Sequence, residues 1–332
     1  MVHCYKIPIF APENYKTNYL LLFMYRKVLT FLALVVCLHT HAQMGKLFDA
    51  DKQLSSSFTT QIFMDRDGFI WVATRNGLNR YDGYQTRILK KEKGADLGMA
   101  SNYVNCMMQD HNGLFYIGMY GAFQTYDGER FHDIKTYDKS GQLLPSYITC
   151  LTERQNGDIL VGTSGHGLMR MTGALEARQM GGALKDLVTV HRMMEDRQQR
   201  IWLVTENMGL WRYDGHQVRR YFDQEGQRSI VLDVCQDQQG HIYVGTTNAG
   251  LFRMDGDTPV HIESTGTKHI SALYVNHQGD IMLGYDGEGV AIYNPKTGTL
   301  KDNPYFSREV DLRMPAAICG WPRWGRACCA IR

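Results

Sequence analysis

The chain has 332 residues, 33 of them glycine, with 36 Lys and Arg against 34 Asp and Glu. A hydrophobic share of 44% excludes disorder over most of the length, and a formal charge of +2 leaves no field to steer nucleic acid or an acidic membrane surface. Glycine at about one residue in ten points to many tight turns and speaks against long helices.

Val28 to Leu38 form an apolar run of 11 residues, preceded by Arg26 and Lys27 and followed shortly by Ala42. A basic start, a short apolar core and a small residue at its end make a secretory signal peptide, with cleavage after Ala42. The run is too short to span a bilayer. A longer anchor from Leu20 is interrupted by Arg26 and Lys27, and Val36 is not the small residue that a lipoprotein site at Cys37 needs. Residues 1–42 thus read as an over-extended start plus signal peptide, with Met24 the better start, and the mature chain as periplasmic.

The middle of the chain repeats. Asp65 to Thr74 (DRDGFIWVAT) leads to Asn76-Gly77-Leu78 and then to Arg80-Tyr81-Asp82-Gly83. The frame recurs around Gly113, Gly157, Gln199, Gly240 and Gly279, at intervals of 45, 44, 42, 41 and 39 residues counted from Gly68. Each unit predicts four short strands. In the first they fall at 58–64, 69–74, 78–82 and 85–89, called a to d and separated by Asp/Asn–Gly turns. Four antiparallel strands in about 42 residues, repeated, make an array of β-propeller blades. Trp71 and Trp202 sit mid-strand at matched positions and belong between blades. Cys106, Cys150 and Cys235 form no CxxC and read as small buried residues.

One more d-like segment, Gly45 to Phe48, precedes the first repeat, and residues 131–135 and 217–222 exemplify strand d elsewhere. Seven d strands against six a–b–c sets ask for a seventh blade that mixes both chain ends, since closure removes exposed sheet edges. No repeat position is honoured after Leu312. Residues 43–312 therefore read as all-β, a propeller with four-stranded blades and six repeats of seven, and residues 313–332 as a non-repeat tail of the kind a frameshift or truncation leaves.

The phrase from Asp65 to Gly83 closely resembles the two-component regulator propeller repeat, over about residues 45–311. That family is typical of the periplasmic region of hybrid two-component sensors in Bacteroides-like bacteria. The resemblance implies an inner-membrane-anchored sensor, a homodimer with further sensor domains on a longer chain, a histidine kinase and a DNA-binding response regulator inside the cell. It also implies oligosaccharide ligands and control of polysaccharide-utilisation genes. This chain carries no phosphoacceptor histidine box and no ATP site, so it is not expected to transmit a signal or to catalyse a reaction by itself, and its near-neutral charge predicts no nucleic-acid partner.

In a propeller the d–a and b–c loops share one face. The b–c loops vary from blade to blade while the strands stay alike, and varied tips on a rigid scaffold suit ligand recognition. The candidate ligand residues are Arg75, Asn76, Tyr120, His166, Glu206, Asn207, Asn248, Asp286 and Glu288. No cofactor or metal is expected: Asp65-x-Asp67-Gly68 lacks the further oxygens of a calcium loop and reads as turn capping, and no HExxH or P-loop occurs. Two other readings compete with sensing. One is a free-standing periplasmic scaffold for protein partners; the other is a propeller lyase or glycosidase.

Overall fold

The structure, a computed structural model, describes residues 53–94, 97–223, 230–286 and 289–302. The expected signal peptide, the strand at Gly45–Phe48, any seventh blade and the tail lie outside these residues.

Within them the chain folds as a β-propeller of six blades. Blade 1 is β1 (Thr59–Met64), β2 (Ile70–Thr74), β3 (Gly77–Tyr81) and β4 (Thr86–Leu89). Blade 2 is β5 (Val104–Gln109), β6 (Phe115–Met119), β7 (Ala122–Tyr126) and β8 (Phe131–Asp133). After β9 (Lys135–Tyr137), blade 3 is β10 (Ile148–Glu153), β11 (Ile159–Thr163), β12 (Leu168–Gly173) and β13 (Glu176–Gln179). Blade 4 is β14 (Val190–Glu195), β15 (Ile201–Thr205), β16 (Leu210–Tyr213) and β17 (Val218–Tyr221). Blade 5 is β18 (Val231–Gln236), β19 (Ile242–Thr246), β20 (Leu251–Asp255) and β21 (Thr258–His261). Blade 6 is β22 (Ile270–Val275), β23 (Ile281–Tyr285), β24 (Gly289–Asn294) and β25 (Thr299–Asp302). Innermost strands pack side by side from β1 through β22. Among the described residues no packing of similar extent joins β22 to β1.

One expected strand is corrected. Residues 131–135 do not form a single strand d: β8 stops at Asp133, and β9 pairs in parallel with β13, giving blade 3 a fifth strand. The break has a packing cause. Ile134 is buried among Tyr116, Phe123, Ile148 and Ala177 between blades 2 and 3, which ends the alternation of β8. The next three residues then satisfy the open backbone edge of β13.

The recurring motifs each close a specific turn. Asp65 Oδ1 accepts from the backbone N–H groups of Asp67 and Phe69, and its Oδ2 accepts from Trp71 Nε1 at 2.7 Å. Asp196 repeats all three bonds with Gln198, Arg200 and Trp202. In Tyr-Asp-Gly, the tyrosine hydroxyl donates to the glycine carbonyl, as from Tyr126 to Gly128 and Tyr213 to Gly215, while the aspartate caps the next turn. These bonds hold the carboxyls of Asp82, Asp127 and Asp214 below the usual carboxylate range. At the end of strand b, Thr74, Thr163, Thr205 and Thr246 donate to the carbonyls of Gly77, Gly167, Gly209 and Gly250.

The core lies between blades rather than within them. Trp71 packs on Phe115 of blade 2 with ring centroids 5.1 Å apart, and Trp202 is buried with Val231, Val234 and Val244 of blade 5. Every innermost strand carries a one-residue register shift near its start, for example between Thr59 and Gln61. In three blades the residue so displaced reaches across: Thr60, Asn105 and Thr149 donate to the carbonyls of Val104, Ile148 and Val190.

Two outcomes follow. Gly209 has φ +71°, and a Cβ there would lie 2.1 Å from the Tyr221 carbonyl oxygen, whereas Gly215, at φ +102°, faces open space. Gly209→Ala is expected to cost about 1–3 kcal/mol and more than Gly215→Ala, read as the difference in thermal midpoint. Burial pushes the phenols of Tyr116 and Tyr221 up from 10.0 to about 12, and Tyr243 upward as well. The fold favours the neutral phenols, so this contribution is complete below pH 10 and is lost as pH rises towards 12. Spectrophotometric titration of the parent minus that of Tyr116→Phe and Tyr221→Phe should show these two phenolates appearing together with unfolding; their ionisation at pH 10 in the folded chain would contradict it.

Candidate functional site

The b–c turns are fastened to the residue that precedes the innermost strand of their own blade. The N–H groups of Arg75, Tyr120, Ser164 and Thr247 donate to the carbonyls of Phe58, Tyr103, Tyr147 and Ile230 at 2.9–3.0 Å. The d–a and b–c loops therefore form one continuous face, and whatever side chain precedes strand a stands beside the b–c turn.

On blades 1 to 3 those side chains build a row of rings. The Arg75 guanidinium carbon lies 5.3 Å from the Phe58 ring centroid and 5.6 Å from that of Tyr103. Tyr103 stacks on Tyr120 at 5.8 Å with 22° between the planes, and Tyr120 meets Tyr147 at 4.7 Å. Phe58 is 56% exposed and Tyr120 59%, whereas Tyr103 and Tyr147 are half-buried.

Arg75 and Tyr120 are the sequence-derived candidates that this row brings together. Asn76 stays next to Arg75, its side-chain amide donating to the Ser55 carbonyl and its backbone N–H donating to Thr74 Oγ1 at 3.1 Å. His166 has its carbonyl bound by Gln179 Nε2 of the outer strand, which holds its turn against its own blade. Glu206 and Asn207 of blade 4, Asn248 of blade 5 and Asp286 of blade 6 are exposed on their b–c turns, with Asn207 in a left-handed conformation at φ +57°. Glu288 lies outside the described residues. Phe58, Tyr103 and Tyr147 were not among the candidates. Their signal is an aromatic residue immediately before strand a, 45 and 44 residues apart, replaced in later blades by Thr189, Ile230 and His269.

A cavity of about 500 Å³ lies along the axis, walled by innermost strands. Several of its polar groups bond across or within blades. Gln61 Oε1 accepts from the Met107 N–H, Asp233 accepts from the N–H groups of Val234 and Leu273, and Glu195 accepts from Arg154 and from the Gln155 N–H. Among the described residues no group of three or more His, Cys, Asp or Glu is placed to hold a metal ion. Burial pushes the Cys150 thiol up to about 12 and those of Cys106 and Cys235 well above their ordinary range.

Residues 53–76 match the family described as two component regulator propeller, on the first of the repeats that carry the resemblance. No curated protein sequence matches the chain. Among solved structures, the extracellular domain of the hybrid two component system BT3049 from B. thetaiotaomicron aligns with a TM-score of 0.66 at 17% identity, over 77% of this chain and 36% of that one. The extracellular domain of BT4673 from the same organism gives 0.62 at 18%, over 74% and 36%. A catalytically inactive virginiamycin B lyase from Staphylococcus aureus, solved with quinupristin, gives 0.59 at 14%, over 79% and 88%. At these identities the likeness is one of fold, and the chain spans about a third of the length of those extracellular domains.

The thiols along the axis should be inert. Iodoacetamide applied near neutral pH, followed by peptide mapping, is expected to leave Cys106, Cys150 and Cys235 unlabelled until the chain is denatured. Labelling in the folded state would show that the axis opens.

Proposed function

We propose that this chain is the ligand-sensing propeller region of a hybrid two-component sensor, exported to the periplasm, and that its ligand is an oligosaccharide. In this reading a longer chain supplies further sensor domains, a membrane anchor, a kinase and an output domain. Pairs of such chains act as a homodimer, and occupancy sets transcription of polysaccharide-utilisation genes. The chain itself is a binding module without cofactor or catalysis.

The observation that carries the reading is the row formed by Phe58, Arg75, Tyr103, Tyr120 and Tyr147. Pyranose rings present apolar C–H faces that settle on aromatic rings, with hydroxyls left over for polar neighbours. Phe58 and Tyr120 offer such faces, and Asn76 supplies amide hydrogen-bonding groups beside them. Support for a sensor comes from the matched repeat at 53–76 and from the fold shared with extracellular domains of hybrid two component systems. Support for export comes from the apolar run at 28–38 with its basic flank. The fold is also shared with a lyase. Against catalysis here stand the buried carboxylates of Asp65, Asp110, Asp196 and Asp237, each committed to backbone N–H groups of its own turn.

The test is calorimetric titration of the chain with a panel of polysaccharide-derived oligosaccharides. At least one is expected to bind, and Tyr120→Ala to weaken it about ten-fold, the loss of about 1.4 kcal/mol of ring contact. Affinity untouched by both Tyr120→Ala and Phe58→Ala would remove the ligand from this face.

A further inference from the structure

The same face has a charge that the ring row alone does not explain, and resting on the oligosaccharide reading we propose that its ligand is acidic: an oligosaccharide bearing carboxylate or sulfate groups, bound through Arg75 while a sugar ring lies on Tyr120.

Arg75 is held over two ring faces and remains exposed. A guanidinium stacked in this way is fixed in orientation but keeps its N–H edge and its full charge. Among the described residues its side chain makes no hydrogen bond or ion pair; the rings are its contacts. That edge is a planar fork matching two oxygens of a carboxylate or sulfate. Lysines gather beside it. A Cβ placed on Gly77 would meet Lys90 Cγ at 3.1 Å, so the Lys90 side chain runs along the turn that carries Arg75. The Lys91 N–H donates to Asn102 Oδ1, and the Asn102 carbonyl accepts from Gly77, which fixes Lys91 to the same turn. Lys90, Lys91 and Lys93 are exposed, with Glu92 the one carboxylate in that run.

The opposite side of the face differs in sign. The b–c turns of blades 4 and 6 present Glu206 and Asp286, both exposed. An acidic chain would thus be drawn towards blades 1 and 2 and disfavoured beside Glu206 and Asp286, which orients it along the ring row rather than across the axis. A neutral sugar would gain from stacking but would leave the guanidinium edge bound to water, and nothing would fix its direction.

The experiment titrates the full chain with oligogalacturonides, which carry carboxylates, with chondroitin sulfate oligosaccharides, which carry both groups, and with neutral xylo- and malto-oligosaccharides. At least one acidic probe is expected to bind ten-fold or more tightly than the neutral ones, with affinity falling as salt is raised. Which acidic probe wins separates carboxylate from sulfate. Arg75→Gln is expected to weaken the acidic probe ten-fold or more, and Arg75→Lys to recover only part, because the ammonium lacks the planar fork. Arg75 is exposed, so both variants should melt as the parent does. Neutral probes binding as well as acidic ones, sensitive to Tyr120→Ala and indifferent to Arg75→Gln, would overturn the acidic ligand and leave oligosaccharide recognition standing. Binding of none of the probes would overturn both.

Discussion

Blades 2 to 5 are each fastened to the preceding blade by the last side chain of the innermost strand. Gln109, Glu153, Glu195 and Gln236 accept from the backbone N–H groups of Arg66, His111, Gln155 and Arg197, which belong to the preceding blades. Those N–H groups are left over inside tight turns and have no partner within their own sheet. The bond therefore satisfies a local deficit and sets a distance between sheets at once. The innermost strands of blades 2 to 5 must end at the same depth for this to work, and the register shift near their start is shared among them. The interior then follows: with spacing fixed, rings such as Trp71 and Phe115 fill the gap between adjacent sheets.

This arrangement divides the molecule by function. On the a–b side, several polar side chains join neighbouring blades. Arg66 reaches the carbonyls of Asp110 and His111, Arg154 reaches Glu195 and the Gln199 carbonyl, and Arg197 reaches the Gln238 carbonyl. At the outer edge, Arg212, Arg219 and Tyr221 of blade 4 converge on Asp257 of blade 5. On the d–a/b–c side, backbone bonds and the threonines that end strand b hold the turns, and turn side chains such as Arg75 and Tyr120 make no structural hydrogen bond among the described residues. Variation there is free to serve recognition.

The repeat, its strands and its turns were legible in the sequence because each rests on local rules: a carboxylate capping the N–H two and four residues on, or a glycine at positive φ closing a turn. What local rules could not reveal was non-local. The fifth strand of blade 3 depends on Ile134 finding a pocket between two sheets and on β13 having an open edge, neither of which residues 131–137 encode by pattern. The candidate face was legible in part. Arg75 and Tyr120 stand in turns that differ among blades, which drew attention to them. Phe58, Tyr103 and Tyr147 hide at the ends of connections of unequal length, where an aromatic residue looks like the first apolar position of a strand. Only the hydrogen bond from each b–c turn to that residue reveals that the two belong together.

The path of β9 bears on how rigid that face is. The chain leaves blade 2 and, before entering blade 3 at its centre, runs along blade 3's outer edge, so blade 3 is gripped on both sides by one continuous segment. Tyr103 and Tyr120 stand on blade 2 and Tyr147 at the entrance to blade 3. The rings are thus mounted on two sheets that cannot drift apart without stripping a strand. The ligand proposed for this face would meet side chains already ordered, leaving little conformational entropy to be lost on docking.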